Sequence, residues 1–240
     1  MSGSQTMFQV SVILPTYNER ENIGPLIAAI HENVPEPTQI IVVDDDSPDR
    51  TWQAVEEIAK ADGTVQLLRR VGRKGLTSAI AEGINLARGE VIVWMDCDFS
   101  MPPEVIPTLL KALKKSDVAV GSRYVAGGQD AGHSLIGQLF SRTINLFASL
   151  LLGFAIRDYT SGFIAARRKV LDDIGLRGDY GEYCIDLLYR ARTRGYQVVE
   201  VPYRCLPRRS GQSKTAPNFW GFFRHGWKYV VTIIGLRFGY

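Results

Sequence analysis

Cysteine is scarce in this chain: Cys97, Cys184 and Cys205 are far apart and form no C-x-x-C pair. An odd, scattered set excludes a disulfide framework and gives no zinc-site spacing, so a reducing cytoplasm is the expected compartment. Long apolar runs are missing too. Beyond residue 18 the longest uncharged stretch, Thr143 to Ile156, has 14 residues. As a helix it spans roughly 21 Å against a hydrocarbon core of about 30 Å, so it is expected to be a core or interfacial helix and not to cross a bilayer unaided. Met1-Ser2-Gly3-Ser4-Gln5-Thr6 shows no basic region leading into an apolar run, so no secretory signal is expected. Glycine-rich phosphate cradles are absent: there is no G-x-x-x-x-G-K-[ST], and no G-x-G-x-x-G follows the first apolar run. That excludes P-loop nucleotide hydrolysis and Rossmann-type nicotinamide chemistry. The three histidines, His31, His133 and His225, are scattered, and only His133 falls in a loop able to approach a site.

The remainder is ordinary for a compact globular protein, with 45% hydrophobic and 22% charged residues over 240 positions. One domain, or one domain with an appendage, is expected. The net charge of +3 hides an asymmetry. From Pro202 to Tyr240 there are seven basic and no acidic residues, while the preceding part carries 21 basic against 25 acidic residues. Such a basic end suits nucleic acid, an anionic membrane surface or a phosphorylated ligand, and charge alone does not choose.

The first half alternates β-branched runs with amphipathic stretches. Val10 to Leu14, Ile40 to Val43, Val65 to Leu68, Val91 to Met95 and Asp117 to Val120 read as strands. Helices are expected over Glu21 to Asn33, Asp49 to Ala61, capped by Ser47 or Asp49, and Leu76 to Ala87, with another opened by Pro103. Near-continuous apolar strands in β-α-β order predict a mostly parallel sheet covered by helices on both faces, the α/β class. Ligands of such sheets bind outside the carboxyl ends of the strands. Three strands end there in polar clusters: Pro15-Thr16-Tyr17-Asn18-Glu19, Asp44-Asp45-Asp46-Ser47 and Asp96-Cys97-Asp98. In extended chain Asp96 and Asp98 share a face while Cys97 turns into packing. Paired carboxylates suit Mg²⁺ or Mn²⁺ and leave coordination positions for phosphate oxygens, which points to a nucleotide diphosphate leaving group.

These residues resemble a family. Leu14 to Ile23, Val43 to Thr51, Met95 to Asp98, Gly121-Ser122-Arg123-Tyr124, Asp158 to Phe163, Arg167 to Leu171 and Arg208 to Lys214 are similar, in order, to the motifs of polyprenyl-phosphate (dolichol-phosphate) mannose synthases, family 2 glycosyltransferases. The resemblance covers roughly residues 9 to 215 and implies a GT-A fold. The implied reaction moves mannose from GDP-mannose to a lipid phosphate with inversion at the anomeric carbon. By motif match Pro15, Tyr17, Glu19, Val43 and Asp45 hold the nucleoside, and Asp96 and Asp98 hold the metal diphosphate, with Cys97 contributing through its backbone. Arg123, Arg208 and Lys214 clamp phosphates, Arg142 matches a basic acceptor-loop position, and Asp186 matches a family acidic position. Two positions depart from the pattern. Ser100 stands where some relatives have a metal-ligating Gln, and Gly137 stands four before Ser141, where many have a basic residue.

A lipid acceptor also explains why no catalytic base is evident. A phosphate monoester, with a second pKa of about 6, is already largely dianionic at neutral pH. Residues 216 to 240 form a basic aromatic segment in which Phe219, Phe222, Phe223, Trp227, Val230 and Ile234 share a helical face, with Arg224 and Lys228 on another. That is the pattern of an in-plane interfacial helix, with a helix docked on the sheet as the alternative. No nucleic-acid motif accompanies the charge. The expectation is a GT-A domain over residues 1 to 215 with a membrane-surface segment, peripheral on the cytoplasmic face of a membrane, acting as a metal-dependent, inverting polyprenyl-phosphate mannosyltransferase. The alternatives are the same transfer from UDP-glucose or another sugar nucleotide, a non-catalytic nucleotide or lipid-phosphate binding module, and a glycosyltransferase building a soluble glycan.

Overall fold

The computed structural model describes residues 9–211 and 219–239, with 219–225 as helix backbone alone. The buried β-branched runs form β1 (Val10–Thr16), β2 (Thr38–Asp44), β3 (Val65–Arg69), β4 (Val91–Trp94) and β5 (Val118–Ser122). They alternate with α1 (Arg20–Asn33), α2 (Thr51–Ala61), α3 (Leu76–Leu86) and α4 (Ile106–Ala112). The second half adds a two-residue strand β6 (Gln129–Asp130), α5 (Leu135–Leu152), β7 (Ile164–Arg167), α6 (Arg168–Ile174), α7 (Tyr183–Thr193), β8 (Val198–Pro202), β9 (Arg204–Cys205) and α8 (Phe219–Phe238).

Seven strands lie in the order β3-β2-β1-β4-β7-β5-β8, and all pairs are parallel except those made by β7, which runs antiparallel to both β4 and β5. One apolar layer packs Ile23, Leu26, Val55 and Leu109 of α1, α2 and α4 on one face. The other packs Ala79, Ile144, Val170 and Leu187 of α3, α5, α6 and α7 on the opposite face. The chain runs outward from β1 through β2 to β3, then returns to β1's other side with β4. That reversal opens a crevice at the carboxyl ends of β1 and β4, the place where such sheets bind ligands.

Local details differ from the sequence reading in instructive ways. The α2 helix begins at Thr51, and its N-cap position is Arg50, which makes no side-chain cap, in place of the expected Ser47 or Asp49; Asp49 Oδ1, two residues before the helix, accepts from Thr51 N at 2.9 Å, while Ser47 is drawn to Asp44. Pro103 opens a short 3-10 turn, Pro103–Val105, that leads into α4. The α5 helix is longer than the uncharged stretch within it. It starts at Leu135, behind a Ser134 cap, and takes Arg142 in its stride, so by length and composition it is apolar enough to cross a membrane. The 14-residue limit thus understated it.

The α3 helix rides directly on the sheet. A Cβ at Gly83 would sit 2.5 Å from Ile13 Cγ2 and 3.2 Å from Val43 Cγ2. Gly83→Val should therefore cost about 3 kcal/mol by overpacking, seen as a Tm lower by roughly 6 to 12 °C. An unchanged melting curve would show that α3 backs away from β1 freely.

Candidate active site

The loops after β1, β2 and β4 hold every non-glycine residue of left-handed backbone among the described residues: Asn18, Asp46, Arg50 and Phe99. Such conformations cost of order 1 kcal/mol or more each, and they gather where surroundings over-determine the chain. Thr16 and Asp44, opposite each other in register, tie the first two loops together through a 2.8 Å hydrogen bond from Thr16 Oγ1.

The three aspartates after β2 have separate tasks. Asp44 is fully buried and accepts from Ser47 N and Oγ as well as from Thr16. Asp45 accepts from Arg70 Nε at 2.7 Å and from Gly75 N at 2.8 Å, so it fixes the turn between β3 and α3. Asp46 accepts from Arg69 Nε at 2.7 Å. Arg70, with a side chain sealed from solvent, was not singled out from the sequence; it also reaches Ser78, Glu82 and the Gly75 carbonyl. The Val43 side chain lies in the core, so only its backbone reaches the sheet edge. Tyr17 accepts from Lys74 Nζ at 2.8 Å.

A cleft of about 430 Å³ opens beside these loops. Asp96, Asp98, Ser100, Arg123, Ser141 and Arg208 are among the residues that line it. Cys97 turns away from it, as expected, its thiol donating to the Pro15 carbonyl. Arg208 bridges two carboxylates, Nη1 to Glu19 Oε1 and Nη2 to Asp98 Oδ2, each at 2.8 Å. Asn22 donates to the other Glu19 oxygen, and Ser100 N donates to Asp98 Oδ1. Asp96 is an exposed residue of the cleft lining, its carboxyl facing Asp98 and Arg208. Its carboxyl is raised to about 7, first by burial and then by the charge of Asp98, against the opposing pull of Arg208. Among the described residues the crevice holds adjacent carboxylates of the kind that suit a hard divalent cation, and Asp96 and Asp98 are the residues able to hold one.

On the opposite wall Arg123 is buried and forked onto Asp158, Nε to Oδ2 at 2.8 Å and Nη2 to Oδ1 at 2.7 Å. The same guanidinium reaches Thr160 and Ser141, which seats the N-terminal half of α5 against the cleft. Arg142 is not brought there. It lines a second cleft with Tyr124 and Arg157, because Ser141 and Arg142, adjacent on a helix, point about 100° apart. Asp186 is held by Arg190, which in turn caps α6 through the Ile174 and Gly175 carbonyls, so it serves packing. His31 pairs with Asp62 at the surface. Lys214 lies outside the described residues, and the His225 side chain is among those not described.

A mixed sheet with a carboxylate-lined crevice at its switch point defines a GT-A-type glycosyltransferase. The chain belongs to glycosyl transferase family 2, whose model matches residues 11–175. It is 42% identical over 211 residues to the polyprenol monophosphomannose synthase of Mycolicibacterium smegmatis, covering 85% of this chain and 79% of that protein. It is 39% identical over 222 residues to the dolichol-phosphate mannosyltransferase of Pyrococcus furiosus, covering 90% of this chain but only 62% of the relative. An undecaprenyl-phosphate mannosyltransferase of Micrococcus luteus is 34% identical, over 89% of this chain and 90% of that one. The fold also matches glucosyl-3-phosphoglycerate synthase of Mycobacterium tuberculosis, with a TM-score of 0.73 at 20% identity over 96% of this chain and 80% of that one.

Because the folded state raises Asp96 above the ordinary carboxylate value near 4, its ionisation opposes folding. The stability it lends is full below about pH 4 and is lost as pH rises through about 7. Asp96→Asn should therefore raise the Tm of metal-free protein at pH 8 while leaving it nearly unchanged at pH 4, and should abolish Mn²⁺ binding in calorimetry. A lower Tm at pH 8 would show that the Asp96 charge is compensated.

Proposed function

We propose that this glycosyltransferase moves mannose from GDP-mannose to a polyprenyl monophosphate, with inversion, at a membrane surface on its cytoplasmic side. The observation that carries the reading is the 42% identity to a polyprenol monophosphomannose synthase, in a chain whose crevice pairs two carboxylates with a buried Arg123 and a half-buried Arg208. Asp96 and Asp98 would hold a Mg²⁺ or Mn²⁺ ion, which supplies Lewis-acid neutralisation of the departing diphosphate. An oxygen lone pair of the acceptor phosphate forms the new bond to the anomeric carbon as the bond to GDP breaks. No proton moves, so no general base is required. The residues' work is positioning and charge stabilisation by Arg208 and Arg123, with Lys214 in the same basic motif.

The neighbouring surface supports a lipid acceptor. Leu135, Leu139, Leu146 and Leu150 form an exposed stripe along α5, with Leu135 82% and Leu139 69% accessible. Trp227, Val231, Ile234 and Phe238 form another along α8. The two helices pack together, Phe140 edge-on to Tyr229 with ring centres 6.5 Å apart. The α8 helix is thus docked, through Tyr229 and buried Ile233, and still shows an apolar face, while Lys228 turns to Asp179. Exposed apolar area of this extent on two adjacent helices suits an interfacial seat.

Two measurements test the reading. With Mn²⁺ and a panel of sugar nucleotides, product should form from GDP-mannose only when polyprenyl phosphate is present. Asp98→Ala should remove most turnover and weaken GDP binding more in Mn²⁺ than in EDTA, whereas product from UDP-glucose would replace the donor assignment. On anionic vesicles, Leu139→Asp combined with Leu146→Asp should cut binding about tenfold or more, since each charge displaces an apolar group from lipid. Equal sedimentation of both proteins would remove the membrane seat from the proposal.

A further inference from the structure

One cluster beside the cleft has no part in the transfer described above. β6 and β9 pair in parallel, with Asp130 opposite Cys205. Ala131 N donates to the Cys205 carbonyl at 3.0 Å, and the chain then turns back at Gly132. A Cβ at Gly132 would lie 2.3 Å from the Leu206 carbonyl oxygen and 2.9 Å from Cys205 Sγ, so a glycine is required for the turn to close over the sulfur. The turn delivers His133, whose Nδ1 lies 2.8 Å from Asp130 Oδ1 and 4.0 Å from Cys205 Sγ. One carboxylate oxygen, one imidazole nitrogen and one thiol sulfur thus lie within 4.8 Å of one another.

We propose that Asp130, His133 and Cys205 form a second metal site, for a zinc-type cation, distinct from the carboxylate pair after β4. The donor set decides the class of ion: sulfur and imidazole select zinc over the hard Mg²⁺ and Mn²⁺. Bonds of about 2.0 to 2.3 Å around a tetrahedral zinc place ligand atoms roughly 3.3 to 3.6 Å apart. The 2.8 and 4.0 Å separations lie about half an ångström either side of that range, and the Asp130 and Cys205 ligand atoms lie within 4.8 Å of each other. Asp130 and Cys205 are held inside, their backbones fixed by the ribbon, while the His133 side chain is 51% exposed. Arg123 Nη1 stands 3.5 Å from the second Asp130 oxygen and orients that carboxylate, as groups behind metal ligands commonly do. Three protein ligands leave a fourth position toward the cleft, which His133 and Cys205 both line. Bound metal would fasten the turn before α5 to the strand that carries Arg208 three residues on, joining the two walls of the cleft.

The test needs no turnover assay and does not depend on the transfer reaction. The full chain is stripped with chelator and titrated with Co²⁺ alone. One equivalent should produce a thiolate-to-cobalt charge-transfer absorption that Zn²⁺ then removes, and metal analysis should find one zinc per chain after Mg²⁺ and Mn²⁺ are dialysed away. Cys205→Ser should abolish the absorption, and His133→Ala should lower zinc affinity by roughly tenfold or more. Cys97→Ser and Asp98→Ala should leave the absorption in place, since the pair after β4 offers only oxygen and the Cys97 thiol faces Pro15. His133 is exposed enough for its alanine variant to keep the core, so the test stands even if Cys205→Ser misfolds. No absorption in the unaltered protein, its survival in Cys205→Ser, or unchanged zinc affinity in His133→Ala would reduce the cluster to a His133–Asp130 ion pair.

Discussion

Among the described residues, three carboxylates, Glu19, Asp96 and Asp98, gather around one guanidinium, Arg208, in the crevice between β1 and β4, and this crowding of like charge organises the rest of the site. Like charges so close cannot all ionise without a cation, and the structure meets the excess partly through Arg208 and partly by raising Asp96. The crevice exists because the chain reverses direction at β1, so its side chains come from segments nearly 190 residues apart. The fold therefore concentrates negative charge there, and a cation bound between Asp96 and Asp98 would offset the repulsion.

Much of this was legible in the amino-acid sequence, for identifiable reasons. Strands such as Val10–Thr16 and Thr38–Asp44 are buried on both faces, so their apolar runs are continuous and their polar ends mark the sheet edge. Cys97 does turn away from the cleft, but from a turn beyond the end of β4 at Trp94 and not through the strand alternation that the sequence suggested. What stayed hidden depends on long-range contact. β7 is a four-residue strand, Ile164–Arg167, whose antiparallel place between β4 and β5 is set by its neighbours. Arg70 reads as a surface cation beside Arg69, yet burial against Asp45 makes it the keystone of the β3-α3 turn. Arg142 carries a motif position but faces another cleft, since one helical step redirects a side chain. The Asp130, His133 and Cys205 cluster escapes any spacing rule because a ribbon of two-residue strands joins segments about 70 residues apart.

The exposed stripes of α5 and α8 turn a seeming conflict into one design. A helix docked on a protein and a helix resting on lipid need different faces, and α8 has one apolar face inward, with Tyr229 and Ile233, and another exposed, with Trp227, Val231 and Phe238, that the proposed lipid seat would use. The α5 helix does the same, with Asn145, Ala148 and Leu152 inward. Because α5 also carries Ser141 to the Arg123 network, the surface that would meet lipid and the wall that would meet a phosphate are opposite sides of one rigid element.

The two cleft arginines illustrate how burial divides labour between identical side chains. Arg123 is enclosed, and its strongest partners, Asp158 and Thr160, belong to the scaffold. Its fork holds direction whatever occupies the cleft, and removal of Asp158 would strand a buried cation. Arg208 is only half-buried, and its partners Glu19 and Asp98 belong to the crevice itself. A cation bound at Asp98 would compete with Arg208 for the same oxygen, so the partners of Arg208 must change with the ligand while those of Arg123 need not. A guanidinium released from a carboxylate keeps its full charge and would turn to the next anion within reach, which for the proposed donor would be a phosphate. On the proposed reading, donor loading and the cationic grip on phosphate would thus be coupled through one side chain, by competition for a single carboxylate oxygen.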